Sequence, residues 1–191
     1  MKKVLFTFGL VLALLTANAQ IEKLAGPRIG FTFVTPGLTA DVINTKFDPE
    51  HEYGNTGSAF ITQYGWQWES RFADGGGDVT GIVEWVALVG GMEKGLFFPS
   101  VSSIIGARTS SGLEFGVGPN LSLSGVGMVF AIGHNFKSGN LNLPVNLVFM
   151  PGVKRDGDYN DQNNSNFEQT EYTYSTGARI SIMIGFNLGR K

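Results

Sequence analysis

Between Gln63 and Phe72 the chain reads QYGWQWESRF, so that Tyr64, Trp66, Trp68 and Phe72 alternate with Gln63, Gln67, Glu69 and Arg71. Successive side chains of a strand point to opposite faces, and the pattern therefore predicts one aromatic face and one polar, charged face. The same period of two recurs along most of the chain, and no convincing 3.6-residue periodicity follows the first twenty or so residues. Turn residues separate eight such segments, at about 27–34, 59–72, 79–89, 96–108, 113–123, 126–136, 141–149 and 172–188. In the first, Ile29, Phe31 and Phe33 oppose Arg28, Gly30 and Thr32; in the last, Ile180, Ile182, Ile184 and Phe186 oppose Arg179, Ser181 and Asn187.

Most of these segments run for about nine to fourteen residues. Strands of soluble sandwiches average nearer five or six, whereas a tilted strand crossing a bilayer needs about nine to eleven. The connections agree with a membrane reading. With both ends of the barrel domain on the periplasmic side, the inner links are 73–77, 109–112 and 137–140, all short, while the two longest links, 35–58 and 151–171, are extracellular. The links at 90–95 and 124–125 are outer by the same count and short. Aromatic residues fall near the strand ends: Phe97, Phe149, Tyr172 and Tyr174 on the outer side, and Trp68, Phe72, Phe136 and Phe186 on the inner side. Two such girdles are expected of an outer-membrane barrel. Pro99, Pro119 and Pro144 lie inside predicted strands, where each removes a ladder donor and marks a bulge or ragged end.

The amino terminus changes the compartment. Lys2 and Lys3 precede the short apolar run VLFTFGLVLALL, and Ala17-Asn18-Ala19 supplies small residues for signal-peptidase cleavage. The run is too short to span a bilayer, so residues 1–19 read as a secretory signal peptide and residues 20–191 as a single barrel domain. Loss of the two leader lysines moves the formal charge from −2 to −4, which argues against a nucleic-acid partner. Gly is abundant (27 of 191 residues), as suits many strands and tight bends. Cys is absent, which excludes disulfides, a thiolate metal site and a lipidated cysteine.

The strand charges gather on the polar faces: Arg28, Glu69, Arg71, Glu84, Arg108, Glu114 and Arg179, joined by Gln63, Gln67, Asn142 and Asn146. Arg rather than Lys supplies the positive charge, and Arg suits buried, multiply hydrogen-bonded pairing. Because eight strands enclose a lumen only wide enough for side chains, these residues are expected to form a paired polar network filling the interior. The alternatives are solvated charges on a soluble barrel and an ion path through the lumen. The signal-type leader, the eight alternating segments and the ending ARISIMIGFNLGRK (178–191) together resemble the small eight-stranded outer-membrane barrels of the OmpA transmembrane domain and OmpX kind. The resemblance covers nearly the whole mature chain as architecture, without an invariant motif. It implies an all-β, eight-stranded antiparallel transmembrane β-barrel with an up-and-down meander, in the outer membrane of a Gram-negative-type envelope. Outer-membrane lipid and the barrel-assembly machinery are the partners it implies. The ending departs from the family's terminal aromatic, since Phe186 is followed by NLGRK.

Catalytic and metal-binding signals are weak. His134, in IGHNF, shares its face with Phe136 and reads as an interfacial, amphipathic ring. His51 stands among Asp48, Glu50 and Glu52 in the first long link, a poor metal signature. Asp156, Asp158 and Asn160 have calcium-loop spacing, but Asp161 stands where Gly is needed and Phe167 where Glu is needed. No catalytic residue, cofactor or metal is therefore assigned. The expected role is non-catalytic and porin-like in architecture only: a structural or surface-interaction protein acting through the 35–58 and 151–171 loops on an extracellular partner of unspecified identity. A lipid-modifying barrel enzyme, which needs a His–Ser pair meeting on the outer wall, and a soluble periplasmic carrier, which needs an apolar inside, are the alternatives.

Overall fold

The computed structural model describes residues 25–46, 48, 56–74, 78–160 and 169–188. The leader at 1–19, His51 with Glu50 and Glu52, Asp161, Phe167 and the last three residues lie outside them. Strands β1 (Gly26–Val34), β2 (Ala59–Asp74), β3 (Val79–Gly90), β4 (Phe98–Thr109), β5 (Leu113–Ser122), β6 (Gly125–Ser138) and β7 (Leu141–Met150) follow the alternating segments closely. Each pairs antiparallel with the next, and β10 (Arg179–Gly185) pairs with both β7 and β1, closing an eight-stranded barrel. A closed barrel leaves no unpaired edge in its wall. Register is irregular where β2 bulges against β3 between Arg71 and Ala73. Pro99, Pro119 and Pro144 all sit within strands, opposite Val89, Met128 and Asn135.

Two expectations need correction. The segment 172–188 is not one strand. Its first part belongs to β9 (Gln169–Ser175), which pairs with β8 (Lys154–Asn160) in a separate two-stranded ribbon. Tyr172 and Tyr174 thus belong to that ribbon and not to a girdle of the barrel wall. The break falls at Gly177, whose φ of 78° lies in the left-handed region and whose added Cβ would meet the Thr35 carbonyl oxygen at 2.5 Å. Flanking bonds fix the kink: the Thr35 amide donates to the Ala178 carbonyl (2.9 Å), and the Ala178 amide donates to the Thr35 hydroxyl (2.7 Å). Beyond Gly185 the wall resumes as the short strand β11 (Asn187–Leu188) against β7.

The 35–58 link, expected as an irregular loop, contains helix α1 (Leu38–Thr45). Eight residues are too few to hold a helix unaided, so packing and local bonds must supply its stability. Ala40 and Ile43 are buried against Val34, Ala59, Ile61 and Leu96, which converts one mouth of the barrel into a small apolar core. Burying a side chain of Ile size contributes about 1.5–3 kcal/mol. Asp41, in the first turn, accepts from the Thr56 amide (3.0 Å), and the Thr39 hydroxyl bonds to that of Ser124 (2.9 Å) in the β5–β6 turn across the mouth. The barrel therefore has an α1 end, plugged by the helix, and a short-turn end formed by the tight β4–β5 and β6–β7 connections.

The two faces of the wall differ as the alternation predicts. Phe31, Trp66, Trp85, Ile105, Phe130, Leu147 and Ile182 project outward from strands all round the barrel, and Trp66 and Ile182 remain 44% and 52% exposed. Inside, alternation is not simply polar. Ile104, Val129 and Met150 form a buried apolar cluster with Val86 and Val148 packed against it.

Candidate functional site

The polar interior begins with two carboxylates in conflict. Glu69 on β2 and Glu84 on β3 lie directly opposite one another in register, both buried. Like charges so placed repel, and a cation beside them offsets that repulsion. Arg108, contributed by β4, is that cation. Its guanidinium grips Glu69 with two nitrogens, Nη1 to Oε1 at 2.7 Å and Nη2 to Oε2, while Nε donates to Glu114. Glu84 lies 4.0 Å from the same Nη2. Two parallel N–H bonds to one carboxylate use the planar fork that Lys lacks.

From Glu84 the network crosses the barrel. Gln67 Nε2 donates to Glu84 at 2.5 Å, Arg28 Nε donates to Gln67 Oε1 at 2.8 Å, and Arg28 Nη1 donates to Asn187 Oδ1 at 3.1 Å. The Arg28 guanidinium lies so close to Gly185 that an added Cβ there would meet Nη1 at 1.7 Å, so glycine opens the space the arginine occupies. Arg71 adds a looser contact to Glu69 at 3.7 Å and is partly exposed. Three arginines and three glutamates are thereby gathered towards the short-turn end, with formally balanced charge.

The remaining expected residues divide. Gln63 is half-buried nearer α1, where the Thr32 hydroxyl donates to it (2.6 Å) and also meets the Ser181 hydroxyl (2.7 Å). Asn142 is buried and accepts from Asn135 (3.1 Å), and Asn146 lines the central cavity. Arg179 does not join the charged cluster; its Nη1 donates to the Ser122 hydroxyl at 3.2 Å. Sequence reasoning placed Asn187 on the polar face but did not assign its bond to Arg28, because that pairing depends on barrel closure across 159 residues. Trp68, Phe72, Phe136 and Phe186 are all exposed, and Trp68 stands opposite Trp85 across β2 and β3.

A basin of about 520 Å³ opens at the short-turn end, lined by Arg71, Asp78, Ser110, Ser111, His134 and Lys137 among others. It brings a histidine near serines without making a catalytic pair. The Ser110 hydroxyl donates to Asp78 (3.3 Å), that of Ser111 bonds to Thr109 (2.8 Å), and among the described residues the His134 ring makes no hydrogen bond; it packs edge-on against Phe136 at 4.5 Å. The calcium-like residues Asp156, Asp158 and Asn160 fall within strand β8 rather than a loop. Among the described residues no group of three or more His, Asp or Glu is placed to hold a metal. At the α1 end, Glu93 of the 3₁₀ turn Met92–Lys94 accepts from the Thr62 amide (3.0 Å) and hydroxyl. Slight burial pushes its carboxyl upward, but these bonds outweigh it and hold the group below the usual carboxylate range.

No family model matches this chain, and neither a curated protein nor a solved structure matches it. The closed eight-stranded antiparallel barrel is consistent with an OmpX-like architecture.

Proposed function

We propose that this chain is a non-catalytic outer-membrane β-barrel, delivered by its leader and anchored with the barrel wall in lipid, whose α1 end and β8–β9 ribbon present the surface that meets the outside. One observation carries the reading: the outward face is apolar and aromatic around the barrel, while the paired charges Glu69, Arg108 and Glu114 are buried inside. Contiguous apolar patches on soluble monomers rarely exceed a few hundred Å². A belt running around eight strands has no stable solvent but hydrocarbon, where charges on the wall are costly and closed barrels satisfy every backbone group. The polar interior counts against a soluble carrier, which would need an apolar inside for a hydrophobic ligand. The plugged lumen fits an anchor better than a channel.

The test is membrane fractionation followed by electrophoresis with and without heating. The protein should travel with outer membranes and shift in mobility on boiling, as a folded barrel resists detergent. Recovery in the soluble periplasm with no heat-dependent shift would overturn the proposal.

A further inference from the structure

We propose, on the footing of a lipid-embedded wall, that the basin at the short-turn end holds the headgroup of one phospholipid, with its phosphate on Arg71 and Lys137. The basin, about 520 Å³, is lined from both faces of β6. Asn135 and Lys137 belong to the inward face of that strand, while the His134 ring packs against Phe136 on the outward face, where Phe136 is exposed. The space therefore runs from the lumen mouth across the rim to the wall. Further along the wall, Ile132 and Leu113, the latter opposite His134 in register, continue the exposed apolar surface. A ligand that fits such a space is polar at one end and apolar at the other.

The charges at the mouth set the chemistry of the polar end. Arg71 on β2 is partly exposed and lies 3.7 Å from Glu69, a carboxylate that Arg108 already grips with two nitrogens. The Arg71 Nε has no hydrogen-bond partner among the described residues. Lys137 is exposed and forms no ion pair among the described residues. Arg108 also borders the basin, but its Nε, Nη1 and Nη2 are engaged by Glu114 and Glu69. The hydroxyls are engaged as well, that of Ser110 on Asp78 and those of Thr109 and Ser111 on each other. Recognition thus falls to two cationic side chains, and phosphate oxygens are the strong acceptors that such cations suit. Asp78 is the one acid of the lining. It repels a bare phosphate and favours a headgroup that carries an ammonium beyond its phosphate, as ethanolamine does. A phospholipid of that kind joins the phosphate, the ammonium and the apolar chains in one molecule, and basic pockets at a membrane surface hold such headgroups.

Native mass spectrometry of the barrel in neutral detergent counts the lipid retained. One dioleoylphosphatidylethanolamine should be held, and dioleoylglycerol, with the same chains and no phosphate, should not; equal retention of the two would overturn the proposal. Arg71→Gln and Lys137→Gln should each weaken retention about fivefold, the loss expected for one cation at a lipid surface. Lys154→Gln, in the β8–β9 ribbon at the other end, should leave it unchanged. Equal losses from all three substitutions, or none from Arg71→Gln and Lys137→Gln, would refute the site. Inorganic phosphate should not displace the lipid; displacement by phosphate at the lipid's own concentration would assign the basin to a free anion instead. The variants should keep the heat-dependent mobility shift, since neither Arg71 nor Lys137 is buried. A wild-type barrel that shifts yet retains no lipid loses the headgroup site alone, whereas a wild type without the shift overturns the membrane anchoring itself.

Discussion

Replacing Glu69 with Leu tests whether the interior network is a set of buried pairs or a group of solvated charges. Glu69 is 2% exposed and holds two nitrogens of Arg108. Its loss leaves Arg108 with Glu114 and, at 4.0 Å, Glu84. Arg71 loses its acid as well, but that contact is 3.7 Å long and partly exposed, so its contribution is small. Breaking a buried pair by removing one partner costs 3–5 kcal/mol, and the surviving Glu114 bond places this case at the lower end, about 3 kcal/mol. That is roughly a hundredfold in the folding constant. Arg108→Leu should cost more, because it strands Glu69, Glu84 and Glu114 together, and the Glu69–Arg108 double-mutant cycle should return a coupling well above that of a surface pair. Equilibrium urea unfolding in detergent micelles, followed by the fluorescence of Trp66, Trp68 and Trp85 on the outer wall, measures each value. A loss under about 0.5 kcal/mol for Glu69→Leu, with Arg108→Leu equally mild, would refute a buried network, since surface substitutions fall in that range.

Three other substitutions probe the rest of the molecule. Ile182→Arg, in the middle of β10 and facing outward, should destabilise the barrel by about 2–4 kcal/mol in lipid vesicles; no effect on vesicle-reconstituted stability would mean that the wall does not face hydrocarbon. Ile43→Ala, which hollows the core under α1, should cost about 2–4 kcal/mol and speed amide exchange of the helix, and exchange unchanged from wild type would show that α1 is held by other means. The Glu93 carboxyl has a folded pKa below its ordinary one, so its link to Thr62 stabilises fully above the unfolded pKa and is lost as pH falls through the lowered folded value. Wild type should therefore lose its advantage over Glu93→Gln on acidification, and a stability difference constant from neutral to acid pH would contradict this.

Much of the wall was legible because its rule is local. Alternation in QYGWQWESRF assigns Trp66 and Trp68 outward and Gln67 and Glu69 inward with no knowledge of neighbours, and β2 keeps that assignment up to the bulge after Arg71. What failed depended on contacts distant in sequence. The break at Gly177 is fixed by Thr35, and alternation on both sides of it gave no sign that Tyr174 had left the barrel for the ribbon. Helix α1 was invisible because LTADVINT is too short for a helical period to stand out. It exists because Ile43 and Ala40 find Val34, Ile61 and Leu96 at the mouth.

The apolar residues on the inner face carry the remaining lesson. A polar-in rule has no place for Val34, Ile61, Ile104, Val129 or Met150, yet all five are buried. They make sense once the lumen is seen as filled by side chains rather than as a channel. Ions confined among aliphatic side chains attract more strongly than in water, but an unpaired one is penalised in proportion. The apolar residues beside the network therefore strengthen the Arg108 pairs, and they make the loss of Glu69 or of Arg108 cost more than the loss of a surface charge.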